Sequence, residues 1–405
     1  MSKKFLKVAS GSDFAKEIDS GSCIEELLLP NDFKSHLHLN SRLPEDQIKM
    51  AKHSFSKALL NSKLATNHHF FMSSGSESGA RLMALSSTAL KNSAEAVNQR
   101  ICSSKDDVWG LMLPTFHVGG FAVLLRAALS GSCVLPYLKW PNFRNDEACL
   151  FSNDLKAAGV SLMSLVPTQL FDVVVANLKA PSSLRAVFVG GGALSSELHL
   201  RARQLGWPIY ASYGMTECAS MVAVSERVDS LQMKPLPHVN VRESEDRLLE
   251  IQSSSLFGAE CVVGDSNWSF RQGDWYRTSD MAEINGEGLK ILGRASRFCK
   301  ISGENVNLGD LEFRVRKSLL NQGLFLFENF VILSKPDERR GSQLLFVIEA
   351  ENDEVRNDKT FLLSLDNFFK NQLAPFERPT QVCVVKKVPR SALGKIQYSE
   401  LLKRC

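Results

Sequence analysis

The sequence predicts an α/β fold built on a parallel sheet, and three observations carry the prediction. Between about residues 160 and 211, short apolar runs (SLMSLV, AVFV, WPIYA) alternate with helix-length segments (QLFDVVVANL, SSELHLRARQLG). Connections this short between strand, helix and strand require parallel pairing with right-handed crossovers. Beyond about 235 the pattern changes to brief alternating runs such as RLLEIQSSSLF, which predict a small antiparallel β region. From 296 onward, helix-like LEFRVRKSLL and KTFLLSLDNFFKNQL mix with strand-like FVILS and QLLFVIEA, the make-up of a small α+β domain. A chain of 405 residues has room for two or more domains. The division read here is a large domain over 1–295 and a small one over 296–405.

Taken in order, Pro44 fits the first position of a helix over about 44–60, with Glu45 and Asp46 at its positive end. Ile48, Ala51, Phe55, Ala58 and Leu59 recur at the spacing of one buried face. Phe70 to Met72 then gives way to SSGSESG, a loop of small hydroxyls and glycines whose backbone N–H groups can wrap a phosphate chain. A plain turn is the alternative, and Glu77 would set a negative charge beside any phosphate. Arg81 supplies a cation two residues past Gly79. His68 and His69 have no partner at ligand spacing and read as ordinary surface or strand-edge histidines.

Val108 to Leu113 reads as a buried strand, Pro114 to His117 as a turn, and Gly119 onward as an apolar helix ending near Gly131. His117 therefore lies between strand and helix, where α/β proteins place ligand contacts. After a strand over 160–166, Pro167 stands near the start of a helix; after a strand over 185–189 come a Gly190–Gly192 turn and a helix capped by Ser195 or Ser196 and ended by Gly206. Tyr213 follows the next strand, so the two turns can face one crevice.

That second turn, SYGMTECAS, concentrates chemistry. The Tyr213 ring can stack on a base, and Gly214 lets backbone approach a ligand closely. Next to Met215, Thr216 can hydrogen-bond a phosphate oxygen and Glu217 can hold a hard cation such as Mg²⁺. A strand followed by a helix N-terminus, capped by Thr216 or Ser212, is the plainer reading. Farther on, Asn285-Gly286 and Glu287-Gly288 mark a hairpin that can bring Asp280 and Arg294 side by side. Lys395 lies in a glycine-adjacent loop before a C-terminal helix.

Composition narrows the classes. A net charge of +4 without a dense Lys/Arg block gives little support to a nucleic-acid or membrane role. Nine cysteines form no CxxC pair and no Cys/His cluster at zinc spacing, which argues against a disulfide framework and a structural metal. The N-terminal stretch meets Asp13, Lys16 and Glu17 before any long apolar core, and no run approaches the ~18 apolar residues of a membrane span. A cytoplasmic protein is expected.

Together, SSGSESGARL, LPTFHVGG, VGGGALS, SYGMTE, YRTSD, GRASRFCKISGENVNLGDLE and PRSALGKIQ resemble the core motifs of the adenylate-forming superfamily, in the right order over about 70–397. Within it, SLVPTQL and YGMTECAS are similar to the o-succinylbenzoate:CoA ligases of menaquinone biosynthesis. The resemblance implies a large ATP- and acyl-binding domain with a β subdomain and a small mobile C-terminal domain. It also implies ATP, Mg²⁺ and coenzyme A, and a two-step reaction through an acyl-adenylate. Lys395 matches the lysine that bridges carboxylate and α-phosphate, and Glu217 the Mg²⁺ ligand. Thr216 with Ser73, Ser74, Gly75 and Ser76 matches phosphate contacts. Asp280, helped by Arg294, matches the acid that takes the ribose hydroxyls; Tyr213 with Gly191 and Gly192 matches the adenine lining, and Gly214 and Met215 belong to the same ATP-binding segment. His117 resembles the residue at the acyl-pocket mouth. Thr168, Gln169 and Ser220 are acyl candidates by position, Gly303 and Glu304 belong to the thioester step, and Ser296 stands at the hinge.

Three departures from the family pattern stand out. Ser78, Ala80 and Arg81 replace glycine, proline and lysine in the phosphate loop, Ser296 replaces the usual aspartate, and Ser279 the usual glycine. A CoA ligase for another aryl or medium-chain acid, and a catalytically impaired nucleotide-binding relative, remain as alternatives. The partners implied are a small carboxylic acid, ATP and CoA; a homo-oligomer is left open.

Overall fold

A computed structural model describes residues 6–7, 35–41, 43–73, 80–137, 140–141, 143, 147–321, 330–350, 359–390 and 396–405. Four predicted site residues, Ser74, Gly75, Ser76 and Lys395, lie outside them. The chain divides into two compact units: Met1–Gly75, Gly79–Thr278 and Ala282–Ile291 in the first, and Ser76–Ser78, Ser279–Met281 and Leu292–Cys405 in the second.

The first unit opens with β1 (Leu6–Lys7), β2 (His36–His38) and a helix over Glu45–Ala58. Pro44 is the residue before that helix rather than its first, and Leu59 is exposed beyond its end. Ala51, Ser54 and Ala58 make the buried stripe. β3 (His68–Ser73) and β4 (Arg81–Ser86) follow as an antiparallel pair, with Ser73 opposite Arg81. β2 runs parallel to β3 with His38 opposite Phe71.

This pairing corrects the sequence reading of His69, which is buried. Its Nδ1 lies 3.1 Å from His38 Nε2, and both rings pack on Phe121. Burial, with His36 nearby, pushes His69 down to about 3, and burial lowers His38 as well. Both are neutral in the folded protein at neutral pH. The predicted strand-edge exposure failed because the covering strand comes from 31 residues upstream.

The helix Ser87–Ile101 leads to β5 (Val108–Leu111), the helix Val118–Ser130, β6 (Cys133–Pro136) and the helix Glu147–Ala157. β7 (Leu162–Leu165), the helix Pro167–Val175, β8 (Ala186–Val189), the helix Ser196–Gln204 and β9 (Ile209–Met215) then repeat the α/β alternation. β6, β5, β7, β8 and β9 are parallel neighbours in that order, as the short crossovers required. Every residue of β7 and β8 is buried, which is why these strands read as unbroken apolar runs rather than alternating ones. Ser195 caps its helix by accepting from the Leu198 N–H at 3.2 Å, and Gly131 and Gly206 end two helices with φ of 70° and 85°.

The sheet continues antiparallel through β10 (Ser220–Ser225) and β11 (Met233–Pro235). β12 (Val239–Glu243), β13 (Leu248–Ser253), β16 (Trp275–Asn285) and β17 (Gly288–Arg294) complete it, in the order β1-β6-β5-β7-β8-β9-β10-β11-β17-β16-β13-β12. A second sheet orders β15 (Ser269–Phe270), β14 (Ala259–Val262), β4, β3 and β2.

In the second unit, β18 (Phe298–Ile301) and β19 (Glu304–Asn307) form a hairpin ahead of the helix Leu308–Asn321. β20 (Phe330–Asp337) and β21 (Gly341–Glu349) are antiparallel, and β22 (Gln381–Val385) adds parallel to β21. Strand alternation splits this sheet into two apolar faces. Phe330, Ile332 and Phe346 pack with Leu311, Val315, Phe368 and Phe369 of the helices Leu308–Asn321 and Lys359–Gln372. Val331, Leu333 and Val347 pack with Leu401 of the helix Tyr398–Lys403. Arg297 is buried beside this core, 2.7 Å from Glu312, donating to the Ile332 carbonyl at 2.8 Å and lying 4.4 Å from the Tyr398 ring centroid.

Candidate active site

At the C-terminal end of the first unit's parallel strands, the Gly190–Gly192 turn meets the β9 segment. A Cβ on Gly190 would stand 2.5 Å from Ser212 Oγ, and Gly191 turns with φ of 75°. Gly192 backs onto the Pro167 ring. The two turns are therefore neighbours, at the strand ends where open α/β sheets receive ligands.

β9 runs farther than the sequence suggested. It carries Tyr213, Gly214 and Met215 as strand, and Thr216–Cys218 form one 3₁₀ turn that leads straight into antiparallel β10. No α-helix begins at Thr216 and the 3₁₀ turn has no side-chain cap, so the capping alternative is set aside. Gly214 is needed for a reason internal to the chain: a Cβ there would stand 1.9 Å from the Ser220 carbonyl oxygen. Ala219 and Ser220 take positive φ (52° and 101°) to complete the reversal. Tyr213 and Met215 pack part of their side chains on the core. The Glu217 carbonyl accepts from the Phe257 N–H at 2.8 Å, fixing the turn's backbone. Cys218 beneath it is buried, and burial raises its thiol well above the ordinary range.

Thr216 and Glu217 bring a hydroxyl and a carboxylate together on one short turn. Among the described residues no group of three His, Cys, Asp or Glu could hold a metal by itself. Mg²⁺ at Glu217 would take its remaining ligands from phosphate oxygens and water, as this ion does in nucleotide sites.

Arg81, the first residue of β4, is held by Glu260 of β14, Nη1 to Oε1 at 2.7 Å. This hydrogen bond keeps the guanidinium above its ordinary value. His117 precedes the helix Val118–Ser130, half-buried, with its ring centroid 4.5 Å from that of Phe116.

Of the acyl candidates, Thr168 is exposed. Gln169 spends its amide on backbone, accepting from the Val166 N–H and donating to the Met112 carbonyl, each at 3.1 Å. Ser220 leads to a group the sequence reading missed. Arg126, on the helix Val118–Ser130, is 1% exposed and donates to Ser220 Oγ at 3.4 Å. Its Nε has no hydrogen-bond partner, and no carboxylate pairs with it, among the described residues. Burial pushes its guanidinium down to about 10, which still leaves it charged at neutral pH. A lone charged residue in a helix that is otherwise apolar up to its terminal Ser130 was the signal available in VGGFAVLLRAALS.

In the second unit, Asp280 and Arg294 meet as predicted, Oδ1 to Nε at 2.9 Å, with the carboxylate buried and the guanidinium half-exposed. Arg294 also donates to Ser279 Oγ. Ser296 is exposed in the 3₁₀ turn Ala295–Arg297. Gly303 and Glu304 are exposed at the β18–β19 turn, where Ser302 and Gly303 take φ of 53° and 91°.

The chain is similar to known proteins in both sequence and fold. Residues 40–265 match the family described as AMP-binding enzyme. Curated 2-succinylbenzoate–CoA ligases are similar in sequence. One from Staphylococcus epidermidis is 28% identical over 76% of this chain and 64% of its own. Another, from Lactococcus lactis, is 26% identical over 77% and 65%. The chain thus spans somewhat less than two thirds of the length of these relatives. Among solved structures, o-succinylbenzoate CoA synthetase from Bacillus subtilis, in complex with its acyl-adenylate intermediate, is 19% identical with a TM-score of 0.68, over 82% of this chain and 68% of that one. ATP-bound MatB from Rhodopseudomonas palustris is 20% identical with a TM-score of 0.65, over 83% and 67%. The fold is that of the adenylate-forming enzymes, and because the family match takes in more than half of the residues, β3 through β14 included, the chain belongs to the AMP-binding enzyme family.

Proposed function

We propose that the protein is an ATP-dependent acid:CoA ligase acting on an aromatic dicarboxylic acid, o-succinylbenzoate, in menaquinone biosynthesis. The observation that carries the substrate class is Arg126. A fully buried guanidinium without a carboxylate among the described residues is a costly arrangement. A substrate carboxylate that is not the reacting one would relieve it, and the relatives named above are ligases of 2-succinylbenzoate, which carries one carboxylate besides the one activated.

In this reading, one substrate carboxylate attacks the α-phosphorus of ATP, pyrophosphate leaves, and the CoA thiol then displaces AMP from the acyl-adenylate. The first step brings two anions together, so catalysis rests on positioning and charge neutralisation. Thr216 and Ser73, with the 74–76 backbone, hold phosphate; Glu217 holds Mg²⁺; Lys395 bridges carboxylate and α-phosphate. Asp280 takes the ribose hydroxyls, its carboxylate oriented by Arg294. Tyr213 with Gly191 and Gly192 lines the base, and His117 stands at the acyl mouth. The small domain from 296 onward, with Ser296 as pivot and Gly303 and Glu304 serving the thioester step, belongs to the same reading. No helix among the described residues is long and apolar enough to cross a membrane, which is compatible with a cytoplasmic biosynthetic enzyme.

The test is acid-dependent pyrophosphate release from Mg-ATP, with o-succinylbenzoate, benzoate, a medium-chain fatty acid and an amino acid as separate substrates. Release with o-succinylbenzoate is expected. Release only with a monocarboxylic acid would discard the substrate and keep the chemistry, and silence across the panel would discard both.

A further inference from the structure

The ion pair between Arg81 and Glu260 joins β4 to β14 at 2.7 Å, and no motif assigns its second member. Strand alternation fixes which way the two side chains point. Arg81 shares parity with Met83 and Leu85, which pack with Ala219 and Phe257, whereas Leu82 and Ala84 pack on the opposite face with Phe70 and Ala259. Glu260 lies opposite Met83 in the β14–β4 register and so takes the same face. On that face β4 packs against the turn Thr216–Cys218. The connection is stiff: the Phe257 N–H donates to the Glu217 carbonyl at 2.8 Å and the Gly258 N–H to the Ala84 carbonyl at 2.9 Å. Arg81 feels the carboxylate of Glu217 and the phenol of Tyr276 in addition to Glu260.

We propose that Glu260 is a positioning residue for the nucleotide: its carboxylate holds the Arg81 guanidinium on the Glu217 side of β4, so that Arg81 meets the phosphates that carry the cation. The inference rests on the nucleotide reading given above and adds a residue to it. A lysine at position 81 could reach phosphate as a free point charge, whereas a planar guanidinium needs an acceptor to orient it, and Glu260 supplies one at 2.7 Å. A hard cation at Glu217 would draw phosphate oxygens to that side of β4, so Glu260 is expected to matter for Mg-ATP and not for AMP. The pair is partly exposed, 35% and 26% for the two side chains, so its removal leaves the fold intact.

The test is equilibrium binding of Mg-ATP and of AMP to the full chain, for the unaltered protein and for Glu260→Gln, Arg81→Met and the double variant, with thermal midpoints alongside. Glu260→Gln is expected to weaken Mg-ATP binding about fivefold while leaving AMP binding and the midpoint unchanged. In the Arg81→Met background Glu260→Gln should add nothing, because it acts only through the guanidinium. Equal weakening of ATP and AMP, additive effects, or unchanged Mg-ATP binding in Glu260→Gln overturns the proposal alone. Absence of Mg-ATP binding by the unaltered protein overturns the nucleotide reading and this inference with it.

Discussion

Gly214 and Ser220 cross so closely that the serine carbonyl oxygen occupies the place where a side chain on the glycine would begin. The contact joins β9 to β10 across the turn that presents Thr216 and Glu217, so the geometry of those two side chains depends on a residue that bears no functional group. Gly214→Ala is expected to cost about 3 kcal/mol, since the obstacle is backbone and cannot rotate away. Urea unfolding of the purified variant measures it, and wild-type stability would show that the crossing is looser than described.

Arg126→Met gives opposite signs in two measurements. Replacing a buried cation with an apolar side chain of similar length should leave stability unchanged or raise it by about 1 kcal/mol. The KM for o-succinylbenzoate should rise about 100-fold, the scale for removing one partner of a desolvated charge pair. An analogue lacking the ring carboxylate should be indifferent to the change. Equal losses on both acids would remove Arg126 from substrate recognition.

Stability should fall in mild acid because of the histidine pair under β2. His38 and His69 are held neutral by burial, His69 down to about 3, whereas in the unfolded chain each takes up a proton near 6.5. A depressed folded-state value means that the unfolded state binds more protons as pH drops. The native advantage is therefore complete above about 6.5 and erodes from there toward 3. At pH 5 His69 alone accounts for up to about 2 kcal/mol. Denaturant midpoints at pH 7.5 and 5.0 measure the loss, and His69→Phe should flatten the difference; an equally steep dependence in that variant would place the acid sensitivity elsewhere.

Lys395→Ala should separate the two half-reactions. Adenylate formation is expected to fall at least about 100-fold, the scale of removing one preorganised charge from a phosphoryl-transfer site. Thioester formation from supplied acyl-adenylate should be largely spared. Parallel loss of both would deny Lys395 a role specific to the first step.

The elements that the sequence announced are those whose signals are local. Pro167, Ser195, Gly131 and Gly206 mark helix ends through their own backbone preferences, and each stands where predicted. Asp280 and Arg294 were also legible, because a hairpin with Asn285-Gly286 at its tip sets the spacing of everything along its two arms. What escaped depends on partners far away in sequence. The burial of His69 comes from β2, 31 positions back, and the setting of Arg81 comes from Glu260, 179 positions on. Gln169 was named for its position alone, and its amide also closes two backbone gaps, at Val166 and Met112.

The burial of Cys218 beneath Glu217 has a practical side in covalent labelling. Thiol reagents attack the thiolate, and this thiol is both enclosed and raised well above the ordinary range. Cys102, by contrast, is exposed at the end of the helix Ser87–Ile101. Maleimide dyes should therefore mark Cys102 ahead of Cys218, and oxidants that titrate surface thiols should leave the turn bearing Thr216 and Glu217 chemically untouched.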